Sequence, residues 1–211
     1  MDPDFWLDRW NEGRTGWQEA DANALLQQHF ADLNLAPGAR VFVPLCGASP
    51  DIGWLLAQGC RVAGAELSAK AIARVFDMLG LQPVITGVGR LTHYAAPGLD
   101  LFQGDIFDLT AATLGPIDAI HDRAALFALP PDIRTAYAAH LIQLTGAAPQ
   151  LLNCLDHDSD PNQGPPFPVN AAEVARLYGD HYRITRLASL DARLFTTGAH
   201  ARDDLWLLAR P

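Results

Sequence analysis

The chain has 211 residues, 49% of them hydrophobic and 18% charged, which suits one domain with one sizeable core and excludes a disordered chain. Its formal net charge is −9 and Lys70 is the single lysine, so a basic surface for nucleic acid is not expected. No apolar run reaches the roughly 18 residues of a membrane span, and the acidic, aromatic opening MDPDFWLDRW is unlike a signal peptide, so the chain reads as a soluble cytoplasmic protein.

Three of the five tryptophans, Trp6, Trp10 and Trp17, fall within the first 17 residues, beside Phe5. In a core they would be spread among strands and helices. Clustered ahead of the first strand, Trp10 and Trp17 read as a lid over a ligand, while Trp6 reads either as lid or as the staple of an N-terminal helix. Residues 18–33 then pattern as an amphipathic helix with Leu25, Leu26, Phe30 and Leu33 inward. Residues 1–34 are thus expected to form a lid and helix ahead of a core spanning 35–211.

Residues 40–68, RVFVPLCGASPDIGWLLAQGCRVAGAELS, read as strand, turn, helix, strand and acid. The strand is 41–43 and the turn 44–47. The helix runs from 49 or 50 to 58 and stops at Gly59, and a second strand, 61–65, delivers Glu66. A glycine at the first turn lets backbone approach a ligand. An acid about 20 residues on is placed to accept from two ribose hydroxyls. A pyrophosphate would require G-x-G-x-x-G, and Gly47 stands between Cys46 and Ala48. No Walker loop occurs either. A nucleoside without phosphates fits, and S-adenosylmethionine is the common one.

Ser68 caps a helix over 69–79 that stops at Gly80, with Ile72, Phe76 and Leu79 on its inner face. Residues 81–98, rich in Gly and Thr, read as a loop with a short strand near 90–94. Further strands are expected at 99–104, leading into Asp105 and Ile106, at 117–121, and at 150–155. A helix opens at Pro130-Pro131 and runs to about Leu144, and another spans 171–178. The end changes character: 182–190 and 204–210 are strand-like with no helix between them, so they are expected to run antiparallel around a loop at 191–203. The fold class is therefore α/β, a class I methyltransferase with a seven-stranded, mostly parallel sheet, helices on both faces and a C-terminal antiparallel hairpin. The three cysteines include no C-x-x-C, so neither zinc nor a disulfide framework is expected. Cys60 and Cys154 read as buried apolar residues, and Cys46 as packing, since no partner would activate it. Asp156, His157, Asp158 and Asp160 read as a solvated loop, His121 as a packed core histidine, and no metal is expected. Pro165–Pro168 with Phe167 reads either as pocket rim or as stiff turn.

These motifs resemble the thiopurine S-methyltransferase family, especially its bacterial members. The matching stretches are FWLDRWNEGRTGWQ (5–18), VPLCG (43–47), GAELS (64–68), DIFDL (105–109), DRAAL (122–126) and GPPF (164–167), in family order over nearly the whole chain. The resemblance implies S-adenosylmethionine as methyl donor, S-adenosylhomocysteine as product, and aromatic or heterocyclic thiols as acceptors, with selenium and tellurium compounds as further ones. It places cofactor contacts on Trp10, Leu45, Glu66 and Arg123. The turn residues Cys46 and Gly47, Leu67 beside the acid, and Asp105 with Ile106 on the adenine side join them. Trp17 stands where the family has phenylalanine beside the substrate, and Ala48 where it has lysine. Arg193 is the nearest candidate for a second substrate-side arginine.

Methyl transfer from a sulfonium is an in-line displacement that needs alignment and no metal. An aromatic thiol is acidic compared with an alkyl thiol and much of it can already be anionic near neutral pH, so no strong base is required. Arg123 would meet the methionine carboxylate or the anionic acceptor; its other reading is an ion pair with an acid such as Asp122. Trp10 and Trp17 would exclude water and offer flat surfaces. The partner is a small-molecule thiol or related acceptor for a monomeric enzyme, with neither nucleic acid nor membrane involved. Two alternatives stay open: an S-adenosylmethionine-binding protein without turnover, and a methyltransferase for a different small acceptor.

Overall fold

The run RVFV forms β1 (Arg40–Val43), every residue of it buried. Val41 and Val43 pack on one side of the sheet and Phe42 on the other, as the two-residue period of a strand requires. The computed structural model of the chain describes residues 3–160 and 162–211. Pro161, inside the polar loop expected after the fifth strand, and the first two residues of the acidic opening lie outside the described residues.

Among the described residues nine strands form one sheet in the order β3-β4-β5-β2-β1-β6-β7-β9-β8. Its centre is parallel: β5 (Leu99–Gln103), β2 (Arg61–Glu66), β1, β6 (Ala119–Arg123) and β7 (Gln150–Asp156). The long hairpin of β8 (Arg183–Arg193) and β9 (His200–Ala209) adds antiparallel to β7. These seven strands are the expected core. The two extra strands, β3 (Val84–Val88) and β4 (Leu91–Ala96), form an antiparallel hairpin on β5, where the sequence reads mostly as loop. The outer strand β3 is almost wholly exposed, so it carries no buried alternation to announce it.

Helices cover both faces. On one, α6 (Pro131–Thr145) and α7 (Ala171–Tyr178) pack Tyr137, Leu141, Val174 and Tyr178 against Phe42, Phe102, Ile120 and Leu152. On the other, α2 (Ala24–His29), α3 (Asp51–Ala57) and α4 (Ala69–Leu79) pack Leu26, Ile52, Leu55 and Ile72 against Val41, Val62, Leu101 and Leu151. Helix α4 matches its sequence signals: Ser68 Oγ accepts from Ala71 N at 3.3 Å, and Gly80 ends it at φ +64°. The short α5 (Ala111–Leu114) precedes β6.

The expected helix over 18–33 is shorter. Asn23 caps α2, its Oδ1 accepting from Leu26 N at 3.0 Å, while its own N–H donates to Asp51 Oδ1 at 2.7 Å. That cap holds residues 18–23 out of the helix. The expected loop 191–203 narrows to a turn at 194–199, because β8 and β9 keep pairing out to Arg193↔His200. Their outer halves are polar and held by the ladder rather than by apolar burial. Among the described residues no helix is long and apolar enough to cross a membrane.

Candidate active site

The carboxyl ends of β1, β2, β5 and β6 open into a cavity of about 730 Å³, within the roughly 300–1,000 Å³ of small-molecule sites. Sheets of this kind hold their ligands at this edge. Trp10, Leu45, Cys46, Gly47, Glu66, Leu67, Asp105, Ile106, Arg123 and Trp17 all line it. Arg193 does not: it lies on β8 with Nη1 donating to Gly198 O at 3.0 Å. From that hairpin turn, Phe195 and Thr196 line the cavity instead.

Glu66 ends β2 with its carboxylate buried. Oε2 accepts from Gly47 N at 2.9 Å and Oε1 from Ser68 N at 2.7 Å, so each oxygen keeps lone-pair capacity for a ligand. Burial pushes this carboxyl up, and the N–H groups of Ser68, Gly47 and Leu67 oppose the rise. Gly47 sits at φ +54°, and a Cβ there would stand 3.2 Å from the Gln18 side-chain amide and 3.5 Å from Trp10. The glycine therefore lets the N-terminal segment, as well as a ligand, approach the turn. Leu45 (φ +46°) and Ala124 (φ +61°) are non-glycine residues in the left-handed region, and both line the cavity. Strained backbone of this kind gathers at functional sites.

Helix α1 (Pro3–Asn11) and the stretch after it close one side with Trp6, Arg9, Trp10, Arg14, Trp17, Gln18 and Glu19. Trp17 packs edge-on against Trp6 and Trp10, ring centres 5.3 and 6.2 Å apart. With its amide oriented to satisfy both ends, Gln18 donates to Ala48 O at 2.9 Å and accepts from Trp17 Nε1 at 3.2 Å. Ala48 itself is buried and offers the cavity no charge. The Gly164–Pro165 and Pro165–Pro166 bonds are cis, and both prolines line the cavity, while Phe167 is buried with its N–H on Phe127 O at 2.8 Å. Of the GPPF motif, Pro165 and Pro166 thus stand on the pocket side.

Arg123 is held by acids other than its sequence neighbour. Its Nη2 pairs with Glu19, and its Nη1 lies 3.8 Å from Asp51 Oδ2. Asp51 is fully buried and accepts from Asn23 N and from His121 Nε2 at 2.9 Å. Burial alone would raise its carboxyl. The hydrogen bond and electrostatic pull of His121, the Arg123 charge and the Asn23 N–H outweigh burial and hold it at about 2. His121 is buried as expected, with a polar duty the strand pattern does not reveal. Asp105 Oδ1 accepts from Phe107 N at 3.0 Å, and His140 Nε2 donates to Ile106 O at 2.9 Å, fixing that edge of the cavity. Cys46, Cys60 and Cys154 are free and buried. Among the described residues no group of three or more His, Cys, Asp or Glu side chains is placed to hold a metal ion.

Asp122 turns away from Arg123, accepting from Tyr137 Oη at 2.8 Å and Leu126 N at 3.2 Å. Burial pushes its carboxyl up to about 6, against the pull of those two donors. Because this lies above its ordinary 3.8, Asp122 contributes stability fully below pH 3.8, and the contribution is lost as pH rises through about 6. Asp122→Asn removes the titration. Its melting temperature relative to the parent should rise by several degrees between about pH 4 and about pH 7. A flat difference across that range would contradict the shift.

Residues 1–203 match the thiopurine S-methyltransferase (TPMT) family. A thiopurine S-methyltransferase of Xanthobacter autotrophicus is 51% identical, the alignment covering all of both chains. One from Gluconobacter oxydans is 51% identical over 88% of this chain and 84% of its own length. Among solved structures, the 1,6-didemethyltoxoflavin-N1-methyltransferase of Burkholderia thailandensis superposes with a TM-score of 0.67 at 18% identity, covering 98% of this chain and 87% of that one. The magnesium protoporphyrin IX methyltransferase of Synechocystis gives 0.67 at 15%, covering 99% and 100%. At those identities the likeness establishes the class I methyltransferase fold and no more. The sequence relatives go further: by its match over nearly its whole length, this chain belongs to the thiopurine S-methyltransferase family.

Proposed function

We propose that the protein is an S-adenosylmethionine-dependent methyltransferase of aromatic and heterocyclic thiols. The observation that carries this reading is the buried Glu66 in the lining of an aromatic-walled cavity, in a chain half identical to thiopurine S-methyltransferases. The cavity fits the cofactor. Glu66 keeps lone pairs free for two ribose hydroxyls, and Ile106 and Leu67 offer apolar surface near Asp105 for a base. The lining carries Glu19, Glu66, Asp105 and Asp132 against Arg9, Arg14 and Arg123, a balance that suits a cationic donor.

When bound, S-adenosylmethionine supplies a sulfonium-activated methyl group and leaves as S-adenosylhomocysteine. The protein's part is alignment and exclusion of water. Trp10 and Trp17 form the lid, and Trp17, Phe127, Phe195 and Pro165 offer flat walls to an aromatic acceptor. Arg123 binds an anionic group, and no residue of the cavity is assigned as general base. The reading includes one methyltransferase domain, action as a monomer in the cytoplasm, and selenium and tellurium compounds as further acceptors.

Incubation with methyl-labelled S-adenosylmethionine and either 6-mercaptopurine or thiophenol should yield labelled S-methyl product. Cofactor binding with no turnover across thiol, selenol and tellurium acceptors would select a non-catalytic binding protein instead. Trp17→Phe removes one ring from the acceptor wall. It should raise the ratio of kcat/KM for 6-mercaptopurine over thiophenol by about three- to tenfold. An unchanged ratio would place Trp17 outside the acceptor subsite.

A further inference from the structure

Arg123 is more than neutralised. Glu19 meets its Nη2, Asp51 lies beside its Nη1, and its charge also reaches Asp203 on β9. Asp51 is enclosed and already serves Asn23 and His121, while Asp203 accepts from Asn153 Nδ2 at 2.6 Å. Of the three acids only Glu19 lines the cavity, with its side chain 50% exposed. At the end of β6 the cavity therefore presents the Arg123 guanidinium with one unenclosed carboxylate beside it, an arrangement complementary to a zwitterion. A simple anion would meet Arg123 and be repelled by Glu19; a simple cation would meet the reverse.

The pair also stands at the right end of the site. Glu66 ends β2 and Arg123 ends β6, with β1 between them in the sheet. Two strand spacings separate them, roughly 10 Å. A nucleoside held at Glu66 carries its tail across the Leu45–Gly47 turn toward Arg123.

Resting on the methyltransferase reading above, we propose that Glu19 receives the α-ammonium of the cofactor's amino-acid end while Arg123 receives its carboxylate. The N-terminal segment then contributes charge recognition as well as cover. Two other roles for Glu19 make different forecasts. If it only occupies Arg123 until a ligand displaces it, removing its charge tightens binding. If it only ties the segment down, removing its charge weakens every ligand alike.

The test is calorimetric titration of the full chain and its Glu19→Gln variant with two ligands. One is S-adenosylhomocysteine. The other is 5′-deoxy-5′-methylthioadenosine, which shares the nucleoside thioether and lacks the amino-acid end. Glu19→Gln should weaken S-adenosylhomocysteine about tenfold and leave methylthioadenosine within about twofold. Tighter S-adenosylhomocysteine binding, equal weakening of both ligands, or no change in either overturns the proposal. A parent protein that binds both ligands equally well keeps the nucleoside site and overturns this proposal alone. A parent that binds neither overturns the methyltransferase reading, and this proposal with it.

Discussion

Glu66→Ala should cost the protein both its nucleoside ligand and a measurable part of its stability. The carboxylate is buried and accepts from Gly47 N and Ser68 N. Its removal strands two buried N–H groups, each costing about 1–3 kcal/mol. The loss is partly offset because a buried charge, which burial already disfavours, is no longer there. The net expectation is a fall in Tm on the order of 5–10 °C for a chain of this size. On the proposed assignment two ribose hydroxyls donate to this charged acceptor, so S-adenosylhomocysteine should bind about 100-fold more weakly or worse. Glu66→Gln keeps an acceptor and the side-chain volume, and should retain more of the stability than of the affinity. Thermal unfolding and calorimetric titration of the two variants check this. Unchanged affinity in Glu66→Ala would refute the ribose assignment.

The second large effect belongs to a residue that never touches the cavity. Asp51→Ala leaves Arg123, His121 and the Asn23 N–H without their shared acceptor. Breaking a buried pair on one side costs about 3–5 kcal/mol, and here it also loosens the cap of α2 and the guanidinium of Arg123. A drop of on the order of 6–15 °C in Tm is expected, with weaker S-adenosylhomocysteine binding beside it. The acid limb carries a second readout. The Asp51 carboxyl stands at about 2 in the folded chain against an ordinary 3.8, so its contribution is complete above pH 3.8 and is lost as pH falls through 2. That difference corresponds to about 2 kcal/mol. The gap between parent and Asp51→Ala stabilities should therefore narrow by about 2 kcal/mol as pH falls from about 3.8 to about 2. A gap that stays constant down to pH 2 would mean the ion pair is not what Asp51 supplies.

Much of the fold is legible because its signals are local. The capped and stopped helix α4, the buried run of β1 and the acid that ends β2 each declare themselves within a dozen or so residues, and the helix-free C-terminal pair within one continuous stretch. What escaped was held by something other than apolar burial. The hairpin β3–β4 and the outer halves of β8 and β9 are ladders near solvent, with few buried side chains to set a period. Residues 18–23 pattern as helix and are kept out of it by the Asn23 cap and its bond to Asp51.

The site divides along the same line. By itself the sequence determined residues that the fold gathers around one cavity: a glycine turn without a pyrophosphate pattern, an acid at the nucleoside spacing, and tryptophans placed ahead of the sheet. Those residues answer to the local geometry of one strand–turn–helix–strand unit, so their spacing is their meaning. Only the tertiary structure decided who faces Arg123. Glu19 and Asp51 reach it from 104 and 72 positions earlier in the chain, Asp122 turns inward to Tyr137, and Arg193 stays outside while Phe195 reaches in. Charge pairs across such separations are set by how strands order and loops fold back, which no local period encodes.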